Sequence, residues 1–223
     1  MGKRIMYSCI TLQKELSETI NRVGFKGELH FLSPELHSDP RKMHQVLQQH
    51  IDENTDADEI IICVSGCGKA TCDLKATTCR LAVPRTMDCI DVLLTGSGIK
   101  RPDGAIFITK SWMNFMQASS INHERLIQEK GQAEAEAFLK KLYHGFTDFY
   151  IIDTGTYDLE EVKNYILPLV EMLGGTLTPL QGPYKVLEKL VTGQYDQEVI
   201  QIPKGGTLSI HEFDGLRPCT IKK

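Results

Sequence analysis

The sequence holds no apolar run long enough to cross a bilayer as a helix. Lys3 and Arg4 are followed by only a strand's length of apolar residues before Gln13, Lys14 and Glu15, so neither a secretory leader nor a membrane anchor is expected. Basic excess is missing as well. Lys and Arg number 25 against 29 Asp and Glu, a formal charge of −4. No basic stretch is interleaved with aromatics, which make up 7% of the chain, and this disfavours nucleic acid and anionic lipid as partners. There is no residue-level repeat, no low-complexity segment, and neither a CxxC nor an HxxxH pair. The phosphate-loop pattern fails around Gly66-Cys67-Gly68-Lys69-Ala70. Its first glycine would fall at Cys63, and the residue after the lysine has no hydroxyl. Gly96-Ser97-Gly98 lacks a third glycine, with Arg101 in its place, and reads as a helix C-cap and turn.

What is present is cysteine. The chain has seven, and five of them (Cys63, Cys67, Cys72, Cys79 and Cys89) fall between Ile61 and Gly98. An odd count without a leader fits a reducing, cytoplasmic setting, where clustered cysteines bind metal, do redox work or fill a core. An apolar run from Ile60 to Val64 breaks at Ser65-Gly66 and delivers Cys67 onto a turn. A second, Leu81 to Val83, ends at Pro84-Arg85 and leads into Asp88-Cys89.

Apolar strands alternate with helical stripes almost throughout, which predicts an α/β protein with a mainly parallel sheet flanked by helices. Strands are expected at 3–10, 28–32, 59–64, 105–109, 149–152, 176–180 and 199–202. The clearest helix starts are Ser38 or Asp39 with Pro40, and Asp158 with Glu161. One helix is expected over 122–143, with a stripe of Ile127, Gly131, Ala135, Phe138 and Leu142. Pro168 should kink the helix that follows Asp158, because it lacks an N–H and crowds Asn164. The chain is read as a single α/β domain or as two Rossmann-like lobes, about 1–100 and 101–210.

In open α/β sheets ligands bind beyond the carboxyl ends of the strands. His37 follows the second strand, Cys67 the third, and Cys89 the run that ends at Pro84. Thiolate and imidazole are the usual ligands of zinc, so these three form the expected metal site. The bland alternative is that each packs alone, since free cysteine is among the most buried residue types. An iron–sulfur cluster on Cys67, Cys72, Cys79 and Cys89 is the alternative cofactor, although the spacings match no standard pattern. A third option is a cysteine nucleophile at Cys67 or Cys89, with Arg85 lowering its pKa. Backbone N–H groups around Gly66 and Gly68 offer an anion cradle, and Trp112, the only tryptophan, a surface for stacking. Arg85 and Asp88 are the candidate catalytic side chains, with Asp88 equally readable as a helix N-cap.

Several segments together carry a resemblance: His37 with Pro40, Gly66-Cys67-Gly68, Val83-Pro84-Arg85 with Asp88-Cys89-Ile90, Leu93 to Ser97, Thr109 with Trp112, Leu187 to Gly193, and Ile202 to Gly205. The chain resembles a domain family of unknown function from anaerobic bacteria and methanogenic archaea, often encoded beside corrinoid-dependent methyltransferases. It departs from that pattern at Val64-Ser65-Gly66-Cys67-Gly68, where relatives tend to have a Tyr-Gly-Leu-Cys-Gly type turn, and at Met87, where they tend to have histidine before Asp-Cys. The resemblance implies anaerobic one-carbon metabolism. The expected function is therefore a cysteine-centred metal protein, methyltransferase or accessory redox protein, acting on a small molecule or a corrinoid protein. The rival is a non-catalytic small-molecule or corrinoid binder with structural cysteines. Homo-oligomerisation is left open.

Overall fold

The strands Arg4–Ser8 (β1) and Glu59–Cys63 (β3) are buried along nearly their whole length. Strands of that kind need cover on both faces of a sheet. The computed structural model of the chain supplies it. The structure describes residues 2–99, 101–102 and 104–216, with the side chains of Ser38 and Cys67 outside that set.

The chain divides into two units. The first contains the residues up to Gly98 and those from Pro183 onward. Its sheet has the order β2-β1-β3-β4-β8, with β2 at Glu28–Phe31, β4 at Arg80–Pro84 and β8 at Val199–Ile202. The first four strands are parallel and β8 is antiparallel to β4. One face carries Ile5, Tyr7, Ile60, Ile62, Leu81 and Val83. Helix α2 (Pro40–Glu53) closes that face with Met43, Leu47 and Ile51, four residues apart as a helical stripe requires. Helices α1 (Gln13–Val23) and α8 (Lys185–Thr192) pack on each other, and α8 also packs on β3 and β4. The short helix α3 (Cys89–Leu94) lies against α8.

At the amino end of this sheet, Arg4 joins the returning segment to the first strands. Its guanidinium pairs with buried Glu59 at 2.7 Å and donates to the carbonyls of Leu190 and Val191 at the end of α8. A cation is favourable there because the last carbonyls of a helix lack partners.

The second unit spans Ile99–Gly182 and has a three-stranded parallel sheet, β5-β6-β7, at Ile106–Ile108, Asp148–Asp153 and Thr176–Gln181. Helices α4 (Lys110–Ala118), α5 (His123–Lys130), α6 (Gln132–Leu142) and α7 (Leu159–Met172) accompany it. Its core joins Ile108, Phe149 and Ile151 to Met113, Leu139 and Ile166.

The α/β class and the parallel strands agree with the sequence. Three features differ. The second unit ends at Gly182, and the residues from Pro183 rejoin the first because β8 pairs with β4 and α8 packs on α1. The segment 122–143 is two helices, broken where Gly131 takes φ +81°. That break resets the helical phase. Ala135 and Leu139 are buried, while Phe138 and Leu142 are about 40% exposed. The helix α4, capped by Thr109, has no counterpart among the expected elements. Helix α7 includes Pro168, which sits on its exposed side. No helix among the described residues is long and apolar enough to cross a membrane.

Candidate functional site

The strand order 2-1-3-4 reverses between β1 and β3. The chain leaves β1 toward β2 on one side, then crosses back to β3 on the other. Such a switch point opens a crevice at the carboxyl ends of the two strands. A cleft of ≈ 40 Å³ lies there, lined by Cys9 after β1, His37 and Leu36 before α2, Val64 and Ser65 after β3, and Cys89 at the start of α3. Leu12, Pro40, Met43 and Ala70 complete its wall.

Cys9 follows β1 directly and is buried. The ladder holds its backbone, since its N–H donates to the Cys63 carbonyl at 3.2 Å. The Thr11 hydroxyl donates to its sulfur at 3.1 Å, and His37 is hydrogen-bonded to the same sulfur. Burial pushes the Cys9 thiol up, but the bonds from His37 and Thr11 outweigh it and hold its pKa below the usual value. His37 shifts the opposite way. The bond to Cys9 raises its pKa against the effect of burial. Both shifts favour one state, a thiolate beside an imidazolium.

Cys89 opens α3 and is half-buried. Asp88 is the N-cap of that helix and accepts from the Asp91 N–H at 2.9 Å. That bond commits one of its oxygens to holding the turn that presents Cys89. Arg85, at the end of β4, donates to the Asp214 carbonyl at 3.4 Å. The loop after β3 is fastened in two ways. The Gly66 N–H donates to the Thr86 carbonyl at 3.0 Å, and the Ser65 and Thr86 hydroxyls lie 2.9 Å apart. The Gly66 amide is thus already used by the loop after β4. Gly68 rests on α2, where a Cβ would stand 2.5 Å from the Pro40 ring. His44 and Gln48 of α2 bond the carbonyls of Ala70 and Lys75 farther along the same segment.

The structure therefore brings His37 and Cys89 together on one cleft. The third expected ligand, Cys67, has its backbone in the adjoining turn, and its side chain lies outside the described residues. Trp112 belongs to the second unit and packs against that unit's core. Cys72 and Cys79 are core residues whose thiols are pushed up by burial. Cys63 is fully buried, and its pKa is driven to about 12. Cys9 was missed as a site residue because a cysteine closing an apolar run reads as core. Its place immediately after the first strand, at the carboxyl edge, was the available signal.

Two thiols and an imidazole on one cleft suit zinc in kind. Among the described residues, however, no three His, Cys, Asp or Glu side chains are gathered closely enough to hold an ion. The family described as "Protein of unknown function (DUF1638)" matches residues 31–191. No curated protein and no solved structure matches the chain.

Proposed function

We propose, for a chain that belongs to this family of proteins of unknown function (DUF1638), that the cleft carries out group transfer through a covalent bond to Cys9. The observation that carries this reading is the Cys9–His37 hydrogen bond inside a cleft at the switch point of the sheet. A sulfur nucleophile needs a partner that keeps it ionised, and His37 is in place to do so. In the first half-reaction the Cys9 sulfur bonds to the electrophilic atom of the donor. The bond from that atom to its leaving group breaks with its electron pair, and the His37 N–H gives the leaving group a proton. The neutral imidazole then takes the proton of an incoming acceptor, which displaces Cys9 as thiolate and restores the pair.

A second reading is favoured by the donor set on the cleft. Zinc would be held by His37 and Cys89, with Cys67 or Cys9 as the further thiolate. Methyl transfer, which would fit the anaerobic one-carbon context of the resemblance, belongs to this reading, since a bound zinc would act as a Lewis acid on an acceptor thiol or methyl donor.

The test is the pH dependence of Cys9 alkylation by iodoacetamide, read by peptide mapping on protein purified without oxygen. The midpoint for the unaltered chain is expected below that of a free thiol, about 8.5. His37→Gln should move the midpoint to higher pH and slow alkylation at neutral pH by about tenfold or more, as the thiolate becomes the minor form. A midpoint at or above the free-thiol value overturns the nucleophile reading. About one zinc per chain, lost in Cys89→Ser while the fold persists, would put the metal reading in its place.

A further inference from the structure

The walls of the cleft limit what reaches Cys9. Among the described residues no Lys, Arg, Asp or Glu lines it, and the polar ones that do are Cys9, His37, Ser65 and Cys89. The remaining wall is Leu12, Leu36, Pro40, Met43, Val64 and Ala70. A space of ≈ 40 Å³ holds a few water-sized groups, and a charged head pushed into it would meet, among the described residues, only the Cys9–His37 pair, whose charges already answer each other, and would lose its hydration without a replacement. Cys9, Leu12, Leu36, Met43, Val64 and Ala70 are buried, whereas His37 is exposed and Cys89 half-buried, which puts the sulfur at the base and these two at the mouth. Met43 is the longest flexible wall residue. It stands on the first turns of α2, with Leu47 one turn further along the same buried stripe but off the cleft.

We propose that the cleft selects substrates by size and charge: the group passed to Cys9 is uncharged and has no more than about three heavy atoms, and Met43 sets that limit. This rests on the reading of Cys9 as nucleophile and narrows its substrate class to donors with a small, uncharged reacting end, such as a short alkylsulfenyl or acyl group. A larger or ionised remainder of the donor stays outside the mouth.

The test uses methanethiosulfonate reagents on the full chain. The Cys9 thiolate bonds to the sulfenyl sulfur, the sulfur–sulfur bond of the reagent breaks, and methanesulfinate leaves with the electron pair. Methyl, benzyl and sulfonatoethyl reagents are compared at Cys9 by peptide mapping, each rate divided by that of N-acetylcysteine. The methyl reagent should outpace both others by about tenfold or more, the size of discrimination a tight apolar pocket gives. Met43→Ala should bring the benzyl rate several-fold closer to the methyl rate and leave the sulfonatoethyl rate low. Leu47→Val, which loosens the same helix away from the cleft, should leave the ratios unchanged. Equal normalised rates in the unaltered chain overturn the size filter while Cys9 remains a nucleophile. A shift in Leu47→Val matching that in Met43→Ala overturns the assignment to Met43. Failure of the folded protein to take a methylthio group at Cys9 overturns this proposal together with the reading beneath it.

Discussion

At the scale of single residues, environment separates thiols that share one chemistry. Cys9 and Cys63 end neighbouring strands and are joined by a backbone hydrogen bond, yet their sulfurs are pushed in opposite directions. Cys9 has His37 and the Thr11 hydroxyl to stabilise negative charge. For Cys63 burial dominates, and its pKa stands at about 12. Since the thiolate is the reactive form, Cys63 should resist iodoacetamide at neutral pH in the native protein and react once urea unfolds the chain. Mass spectrometry of native and unfolded samples checks this, and rapid native labelling of Cys63 would contradict its placement. Much of this contrast lies beyond the sequence. Both cysteines close apolar runs, and a sequence does not show that one side chain faces a histidine arriving from a different loop. His37 and Cys89 were legible because Ser33-Pro34 and Pro84-Arg85 punctuate the runs before them, which fixes where those strands end.

At the scale of elements, the loop after β3 and the start of α2 shape the cleft by direct contact. Gly68 takes φ +60°, and a Cβ there would stand 2.5 Å from Pro40 Cγ, an atom tied to the backbone by its ring. At Gly66, φ is ordinary and the nearest atom to a Cβ is 3.4 Å away on the Phe213 ring. Gly68→Ala should therefore lower stability by about 1–3 kcal/mol, and Gly66→Ala by no more than about 0.5 kcal/mol. Urea midpoints of the two variants decide it, and equal losses would sink the claim that the loop is pressed onto α2. Element boundaries were legible where a cap or breaker stood alone, as at Asp39-Pro40, whose carboxylate accepts from the Lys42 N–H. They were lost where polar residues blurred the stripe. In α4 the buried positions Met113 and Met116 are only three apart and flanked by Asn114 and Gln117, too short a pattern to outweigh a loop reading. In 122–143 the apolar spacing passes through Gly131 in phase, so the break between α5 and α6 leaves no mark in the pattern.

At the scale of the whole molecule, buried His123 and half-buried His50 bias the response to acid. His50 stacks on Tyr7 with ring centroids 4.4 Å apart, and His123 lies against Tyr165 at 4.9 Å. Burial lowers the pKa of both. Between the ordinary histidine value, about 6.5, and the lower folded values, the unfolded chain binds more protons than the folded one. Stability contributed by their neutral forms is thus full above about 6.5 and lost as the pH falls through the lowered values. His37, with a raised pKa, acts in the opposite sense. Its charged form adds stability that is full below the unfolded value and fades as the pH rises through the folded one. Thermal unfolding at pH 7.5 and 5.5 should show a lower midpoint in acid, and His123→Phe should reduce that difference. No change between the variants would show that His123 is not buried in its neutral form.

The sequence pattern alone places strands and helices in order but does not reveal that β8 turns back to run antiparallel beside β4, because an apolar strand does not name its neighbour. That return has a consequence for synthesis. The second unit is one unbroken stretch, Ile99–Gly182, inserted between α3 and α8 of the first. On a ribosome the first unit must wait with one edge of its sheet unpaired and the groove for α8 empty until the inserted stretch has been made. The later-encoded unit is thus the earlier one to have all of its parts. The cleft at Cys9 lies in the unit that is completed last.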